Sequence, residues 1–223
     1  MKEVTPTQAG ITEPVSLIVE GWEPDGDRWS YVNPDGSYVV NDWKLIDGKW
    51  YHFDKSGYMQ TGWLNVNNTW YYLNDSGAMA TGWKFLGGRW YYLLPGKGNM
   101  VTGWAYIDNV WYYLNSDGAM STGWLLDNKI WYYLESSGRM SVGWKLINNT
   151  WYFLNTNGAM QIEWKYINKK WYYFYSSGAM ATGWVLDGRY WSYLKSDGAM
   201  AVNWLTTAGK TYFLNPTGSM VTG

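Results

Sequence analysis

Trp recurs at 22, 43, 63, 83, 104, 124, 144, 164, 184 and 204, a spacing of twenty or twenty-one residues kept through ten units. A period of that length means one small supersecondary unit copied along the chain, each copy relying on its neighbours to bury a face. A second Trp follows seven positions later at 29, 50, 70, 90, 111, 131, 151, 171 and 191, and Thr211 takes its place in the last unit. Met stands near the end of each unit at 59, 79, 100, 120, 140, 160, 180, 200 and 220, and Tyr38 replaces it in the first. The shared pattern is Gly-Trp, a short variable stretch, Trp-Tyr-Tyr-Leu, a polar loop with Gly, Ala-Met, and Thr-Gly before the next Trp.

Between the paired Trp lie the dipeptides Asp47-Gly48, Asn67-Asn68, Gly87-Gly88, Asp108-Asn109, Asn148-Asn149 and Asp187-Gly188. Such pairs supply the positive φ angles of a two-residue hairpin turn, so each unit is predicted to be one β-hairpin and no helix is expected. Closing the turn at Asp47-Gly48 sets Leu45 opposite Trp50 and Trp43 opposite His52. A turn at Asp187-Gly188 instead pairs Trp184 with Trp191; in either register both Trp share a face. The other face carries Ile46, Tyr51 and Phe53, and later Val66, Tyr71 and Leu73, or Ile107, Tyr112 and Leu114. The third of these positions is aliphatic or Phe from Phe53 to Leu214, which marks it as core. An isolated hairpin is marginal in water, so the expected fold is an all-β, repetitive solenoid of about ten stacked hairpins. Two units run one residue long, at Leu94–Asn99 and at Val39–Asp42. Residues 1–20 hold no Trp and no hairpin signal and read as an N-terminal tail or cap, leaving 21–223 as the array.

Composition narrows the chemistry. Aromatic residues make up 20% of the chain and charged residues only 16%. A net charge of -1 gives no electrostatic footprint for a nucleic-acid backbone. With no Cys and a single His, His52, a zinc site, a thiol nucleophile and a redox dithiol are not expected, and no metal or cofactor is called for. No apolar run approaches the roughly 20 residues of a membrane-spanning helix. Met1-Lys2-Glu3-Val4-Thr5-Pro6 lacks the basic-then-apolar plan of an export signal. The acids mostly sit in turns, where Asp forms turns far more often than it forms catalytic pairs; Glu163, in place of Gly before Trp164, is the most unusual by pattern. His52 stands at the second Tyr position of its unit and reads as a packing residue. Lys44, Lys84, Lys145 and Lys165, just after the first Trp, keep an aromatic surface soluble.

Trp is a poor choice for repetitive packing because its indole N–H needs a partner, and the opposite face already supplies aliphatic core. Two indoles from one hairpin closed by a phenol from the next would form an electron-rich box. Such a box suits a methylated ammonium ion, by cation–π attraction, or the apolar face of a sugar ring. Strand alternation puts the two Tyr of each pair on opposite faces, and parity does not choose which of them meets the preceding hairpin.

The stretch Gly-Trp, then Trp-Tyr-Tyr-Leu-Asn, Gly-Ala-Met and Thr-Gly-Trp, as in Gly62 to Trp83 and Gly103 to Trp124, resembles the choline-binding repeats of streptococcal-type surface proteins and phage lysins. The resemblance spans about nine tenths of the chain, from Gly21 onward. It implies a left-handed solenoid of hairpins, secreted and wall-associated, that attaches without catalysis to phosphocholine on teichoic and lipoteichoic acids. It further implies sites lined by two Trp of one repeat and a Tyr of the next, with Met nearby. Carried onto this sequence, the sites are Trp22, Trp29 and Tyr51; Trp43, Trp50 and Tyr71 with Met59; Trp63, Trp70 and Tyr91 with Met79; and Trp83, Trp90 and Tyr112 with Met100. The series runs on through Trp104, Trp111 and Tyr132 with Met120; Trp124, Trp131 and Tyr152 with Met140; Trp144, Trp151 and Tyr172 with Met160; and Trp184, Trp191 and Tyr212 with Met200. Ser192 stands where the Tyr for Trp164 and Trp171 belongs, so that site is incomplete. The last unit, with Trp204 and Thr211, reads as a cap or a homodimer contact. The rival reading is a carbohydrate-binding repeat module for glucan or host glycan, against which the paired Trp count.

Overall fold

Asn67 and Asn68 have φ of 50° and 62°, Asp108 and Asn109 49° and 64°, Asn148 and Asn149 48° and 60°. Positive φ at both central residues is the signature of the type I′ turn, whose twist matches that of the strands it joins. The computed structural model, which describes residues 19–221, places a hairpin at every such turn. Two compact units result, Met1–Val101 and Thr102–Gly223.

The first unit holds four hairpins: β1 (Gly21–Asp25) with β2 (Arg28–Val32), β3 (Trp43–Ile46) with β4 (Lys49–His52), β5 (Gly62–Val66) with β6 (Thr69–Leu73), and β7 (Gly82–Leu86) with β8 (Arg89–Leu93). The second holds six. They are β9 (Gly103–Ile107) with β10 (Val110–Leu114), β11 (Gly123–Asp127) with β12 (Ile130–Leu134), and β13 (Gly143–Ile147) with β14 (Thr150–Leu154). There follow β15 (Glu163–Ile167) with β16 (Lys170–Phe174), β17 (Gly183–Asp187) with β18 (Tyr190–Leu194), and β19 (Asn203–Thr207) with β20 (Lys210–Leu214). The described residues are thus all-β hairpins without a helix. The tail-or-cap reading of residues 1–20 falls outside the described residues except at Val19 and Glu20; Glu20 accepts a hydrogen bond from the Tyr31 hydroxyl.

Register agrees with the sequence reading at Trp43↔His52 and Leu45↔Trp50. It corrects the turn expected at Asp187-Gly188. There the turn residues are Gly188 and Arg189, and Trp184 faces Tyr193 while Trp191 faces Leu186. Gly188 has φ of 63° whereas Arg189 is not among the positive-φ residues, the pattern of a turn needing left-handed geometry only at its first central position. The register therefore stays common to all units, and Asp187 serves as the last strand residue.

After each hairpin the chain turns back, and Met bridges to the final residue of its own hairpin, as in Leu73↔Met79 and Leu154↔Met160. The same Met N–H donates to the carbonyl of the second Trp of the preceding hairpin: Met79 to Trp50 at 2.7 Å, Met160 to Trp131 at 2.8 Å, Met220 to Trp191 at 2.7 Å. This bond stitches hairpin to hairpin. The core runs along the stitched edge, where Phe53, Leu73, Leu93, Leu114, Leu134, Leu154, Phe174, Leu194 and Leu214 are fully buried, as their repeated apolar character predicts.

Candidate functional site

In most hairpins the first and second Trp pack edge to face, as at Trp63–Trp70 at 6.3 Å and 85°, Trp124–Trp131 at 6.2 Å and 89°, and Trp184–Trp191 at 6.4 Å and 86°. Rings at right angles form a corner, and the second Trp stays 41–45% exposed, so one wall of that corner faces solvent.

Inside each of the two compact units, the first ring of the Tyr-Tyr position closes the corner from the next hairpin. Tyr51 lies 4.9 Å from Trp22, Tyr71 5.0 Å from Trp43, and Tyr91 4.9 Å from Trp63. In the second unit Tyr132, Tyr152, Tyr172 and Tyr212 each lie 4.8 Å from Trp104, Trp124, Trp144 and Trp184. The second aromatic of the pair has a different task. It sits directly across the strand pair from its own first Trp, as Tyr72 does with Trp63 and Phe153 with Trp144, and braces it at 5.3 and 5.1 Å. His52 fills that bracing position against Trp43 at 4.9 Å, buried, its Nδ1 2.6 Å from Gln60 Oε1; packing explains it.

The Met assignments need correcting by one unit. Met59 joins Trp22, Trp29 and Tyr51 in a cavity; Met79 joins Trp43, Trp50 and Tyr71; Met160 joins Trp124, Trp131 and Tyr152. The stitching hydrogen bond is the reason, because it carries Met back onto the preceding hairpin instead of leaving it with the Trp pair of its own. By the same bond Met100 is tied to Trp70, Met140 to Trp111, Met180 to Trp151 and Met200 to Trp171. Each Met side chain then needs an empty space in the next loop. A Cβ on Gly178 would fall 2.2 Å from the Met160 sulfur, and one on Gly77 would fall 2.1 Å from that of Met59. The Gly of Gly-Ala-Met is therefore required twice over, since its φ is also positive, 81° at Gly178.

Two hairpins, those of Trp164 and Trp204, depart from the common pattern. Trp164 is braced by Tyr173 at 5.2 Å, but buried Ser192 and Val185 occupy the place where a closing ring would come. Its indole N–H donates instead to Asp187 at 2.7 Å; Trp104 makes the matching bond to Asp127 at 3.1 Å. Burial, with the nearby Asp187 and Glu163 carboxylates, pushes the Tyr173 phenol upward. Trp83 and Trp90 meet at 6.4 Å and 86°, as in the other hairpins. In the last hairpin Trp204 is 74% exposed and Thr206 pairs with Thr211. Lys44 and Lys145 do more than solubilise: they donate to Asn33 at 2.8 Å and Glu135 at 2.9 Å, tying hairpins to the preceding loops.

One set of lining residues escaped the sequence reading. The mouths of these three cavities are completed by the loop two hairpins on: Asp75 and Ser76 over the Trp22 cage, Gly96, Lys97 and Asn99 over the Trp43 cage, Ser176 and Ser177 over the Trp124 cage. These positions vary from unit to unit, and their link to a Trp some fifty residues earlier exists only once the hairpins stack. Among the described residues no group of three His, Asp or Glu is placed to hold a metal.

A choline-binding repeat model matches residues 40–81, 61–102, 101–143 and 162–204, and a cell wall binding repeat model matches residues 142–160 and 203–220. No curated protein sequence matches the chain. Among solved structures, CbpJ from Streptococcus pneumoniae TIGR4 is 30% identical, covering 90% of this chain and 94% of its own, with a TM-score of 0.65. Choline binding protein F from the same species, solved in the presence of a peptidoglycan analogue, is 30% identical over 91% of this chain and 93% of its own, TM-score 0.62. The S. pneumoniae modular autolysin LytC is 26% identical over 91% of this chain but only 52% of its own, TM-score 0.52.

Proposed function

This chain belongs to the choline-binding repeat family, and on that premise we propose that it is a non-catalytic module holding choline in cages between successive hairpins, and through them phosphocholine on teichoic and lipoteichoic acids of the bacterial cell wall. The observation that carries the reading is the recurring corner of two perpendicular indoles closed at 4.8–4.9 Å by the next hairpin's Tyr. A quaternary ammonium cannot donate hydrogen bonds, so it needs a surface that is apolar yet electron-rich, which three aromatic faces supply. Each ring contributes about 0.5–2 kcal/mol, which puts a single cage near the millimolar range. A polymer bearing choline at intervals would engage several cages at once, each further contact made at high effective concentration. Such a partner is extracellular, so the module acts at the bacterial surface. The uncovered Trp204 face of the last hairpin is the candidate homodimer contact, and sedimentation with and without choline tests it.

The experiment is a titration of intrinsic Trp fluorescence with choline, with ethanolamine and a glucan oligosaccharide as controls. A saturable change near the millimolar range with choline alone supports the reading. A response only to glucan transfers the array to sugar stacking, and no response to any of the three refutes ligand binding by the cages.

A further inference from the structure

Three cages share the same rings and differ at the mouth. Over the Trp22–Trp29–Tyr51–Met59 cage stand Asp27, Asp75 and Arg28, two carboxylates against one guanidinium. That guanidinium is already engaged, paired with Asp25 at 3.0 Å and stacked on the Tyr58 ring at 3.7 Å. Over the Trp124–Trp131–Tyr152–Met160 cage stand only Ser176 and Ser177, and the cavity is about 300 Å³. Over the Trp43–Trp50–Tyr71–Met79 cage stands Lys97, with no carboxylate in the lining, and the cavity is about 600 Å³.

Lys97 owes its position to an irregularity in the repeat. The loop Leu94-Pro95-Gly96-Lys97-Gly98-Asn99 is one residue longer than Asn74-Asp75-Ser76-Gly77-Ala78. Its ends are nevertheless held as in the other units: Leu94 N–H donates to Asn99 O at 2.9 Å, Gly98 N–H to Leu94 O at 2.8 Å, and Gly98 still lies against Met79. The extra residue is therefore accommodated outward, at Gly96 and Lys97, where both line the cavity mouth. Lys97 is exposed and no ion pair holds it among the described residues.

We propose that the Trp43–Trp50–Tyr71–Met79 cage is selective for choline phosphoesters over free choline, the rings taking the trimethylammonium and Lys97 the phosphate. This rests on the choline reading above and deepens it. A cage with a cation at its mouth would repel free choline slightly and attract its zwitterionic ester; the Trp22 cage, with net negative charge, has the opposite bias, and the Trp124 cage has none. Thr69 also lines the cavity, with a hydroxyl able to donate to a phosphate oxygen. The Lys97 stem is flexible and solvated, so the effect is modest and falls with salt.

The test uses the full chain with ¹⁵N-labelled Trp, following the indole N–H resonances of each cage, assigned by single Trp→Phe variants, at low ionic strength. Choline, phosphocholine and glycerophosphocholine are the probes; the diester reports a polymer-linked headgroup and the monoester a free one. The expected result is about two- to fivefold tighter binding of the esters than of choline at Trp43 and Trp50, as one partly screened charge pair provides, and no preference at Trp124 and Trp131. Lys97→Met, which keeps the stem, removes the preference by weakening the esters about two- to fivefold, as the loss of one partly screened charge pair does, while free choline binds slightly more tightly at that cage. An equal ester preference at the two cages, or one that survives Lys97→Met, overturns the proposal and leaves the choline reading standing. If none of the three probes moves any indole resonance, the choline reading fails and the selectivity fails with it.

Discussion

Gly178→Ala tests the way Met, Gly and cage are interlocked. The added Cβ would lie 2.2 Å from Sδ, 2.7 Å from Cε and 2.8 Å from Cγ of Met160. Because the contact reaches back to Cγ, turning the terminal methyl alone does not relieve it; the side chain must leave its place over the loop. Backbone strain adds to this, since φ is 81° at Gly178. An L-residue there costs about 1–2 kcal/mol, offset by roughly 0.4–1 kcal/mol from the stiffer unfolded chain. Strain therefore accounts for about 1 kcal/mol, and displacement of Met160 for about 1–2 kcal/mol more, a typical cost of overpacking. In a Met160→Ala background only the strain remains, so the double-mutant cycle should show a coupling of about 1–2 kcal/mol. Guanidinium denaturation followed by far-UV circular dichroism measures it, with calorimetry to check that the array still unfolds cooperatively. Because Met160 also lines the Trp124–Trp131–Tyr152 cage, Gly178→Ala should weaken choline binding at that cage and leave the Trp22 cage unchanged. Equal destabilisation by Gly178→Ala with and without Met160 would refute the packing argument.

Leu134→Ala removes a fully buried side chain from the stitched edge and should cost about 2–5 kcal/mol by the same denaturation assay. Glu163 holds φ of 63° where Gly62, Gly82, Gly103, Gly123, Gly143 and Gly183 hold 71–79°, and those glycines have nothing within 4 Å of an added Cβ. The cost at Glu163 is thus conformational, and Glu163→Gly should raise stability by up to about 1 kcal/mol, seen as a higher melting temperature. The Lys145 ammonium, donating at 2.9 Å, holds the Glu135 carboxyl below its usual range. Its stabilisation is present above the unfolded-state value of about 4.3 and is lost as pH falls through the lower folded value. Being half exposed and screened, the pair should contribute under about 1 kcal/mol, so melting temperature against pH for Glu135→Gln should run slightly below the parent at neutral pH and converge with it in acid.

The hairpins were legible in the sequence because their causes are local. A pair such as Asn67-Asn68 specifies a turn by its own backbone preferences, alternation then assigns Trp63 and Trp70 to one face and Leu73 to the core, and the period repeats the result. At Asp187-Gly188-Arg189 two turn placements were both chemically sensible, and the composition of the dipeptide pointed to the wrong one; the common register needed to stack on neighbouring hairpins decides for Gly188-Arg189.

What the sequence by itself determined, then, is everything settled within one hairpin: strand, turn, face and the buried position. The tertiary structure alone decided what depends on how one hairpin lies on the next. It chose the first Tyr of each pair as the closing ring and the second as the brace, because only stacking says which face meets the preceding Trp. It moved each Met back one unit, because the Met N–H finds its acceptor on the preceding hairpin. It brought Lys97 over the Trp43 cage, because residues of three successive hairpins converge on one cavity. Periodicity is blind to such placements, since every copy of the motif presents the same local pattern, whichever neighbour it packs against.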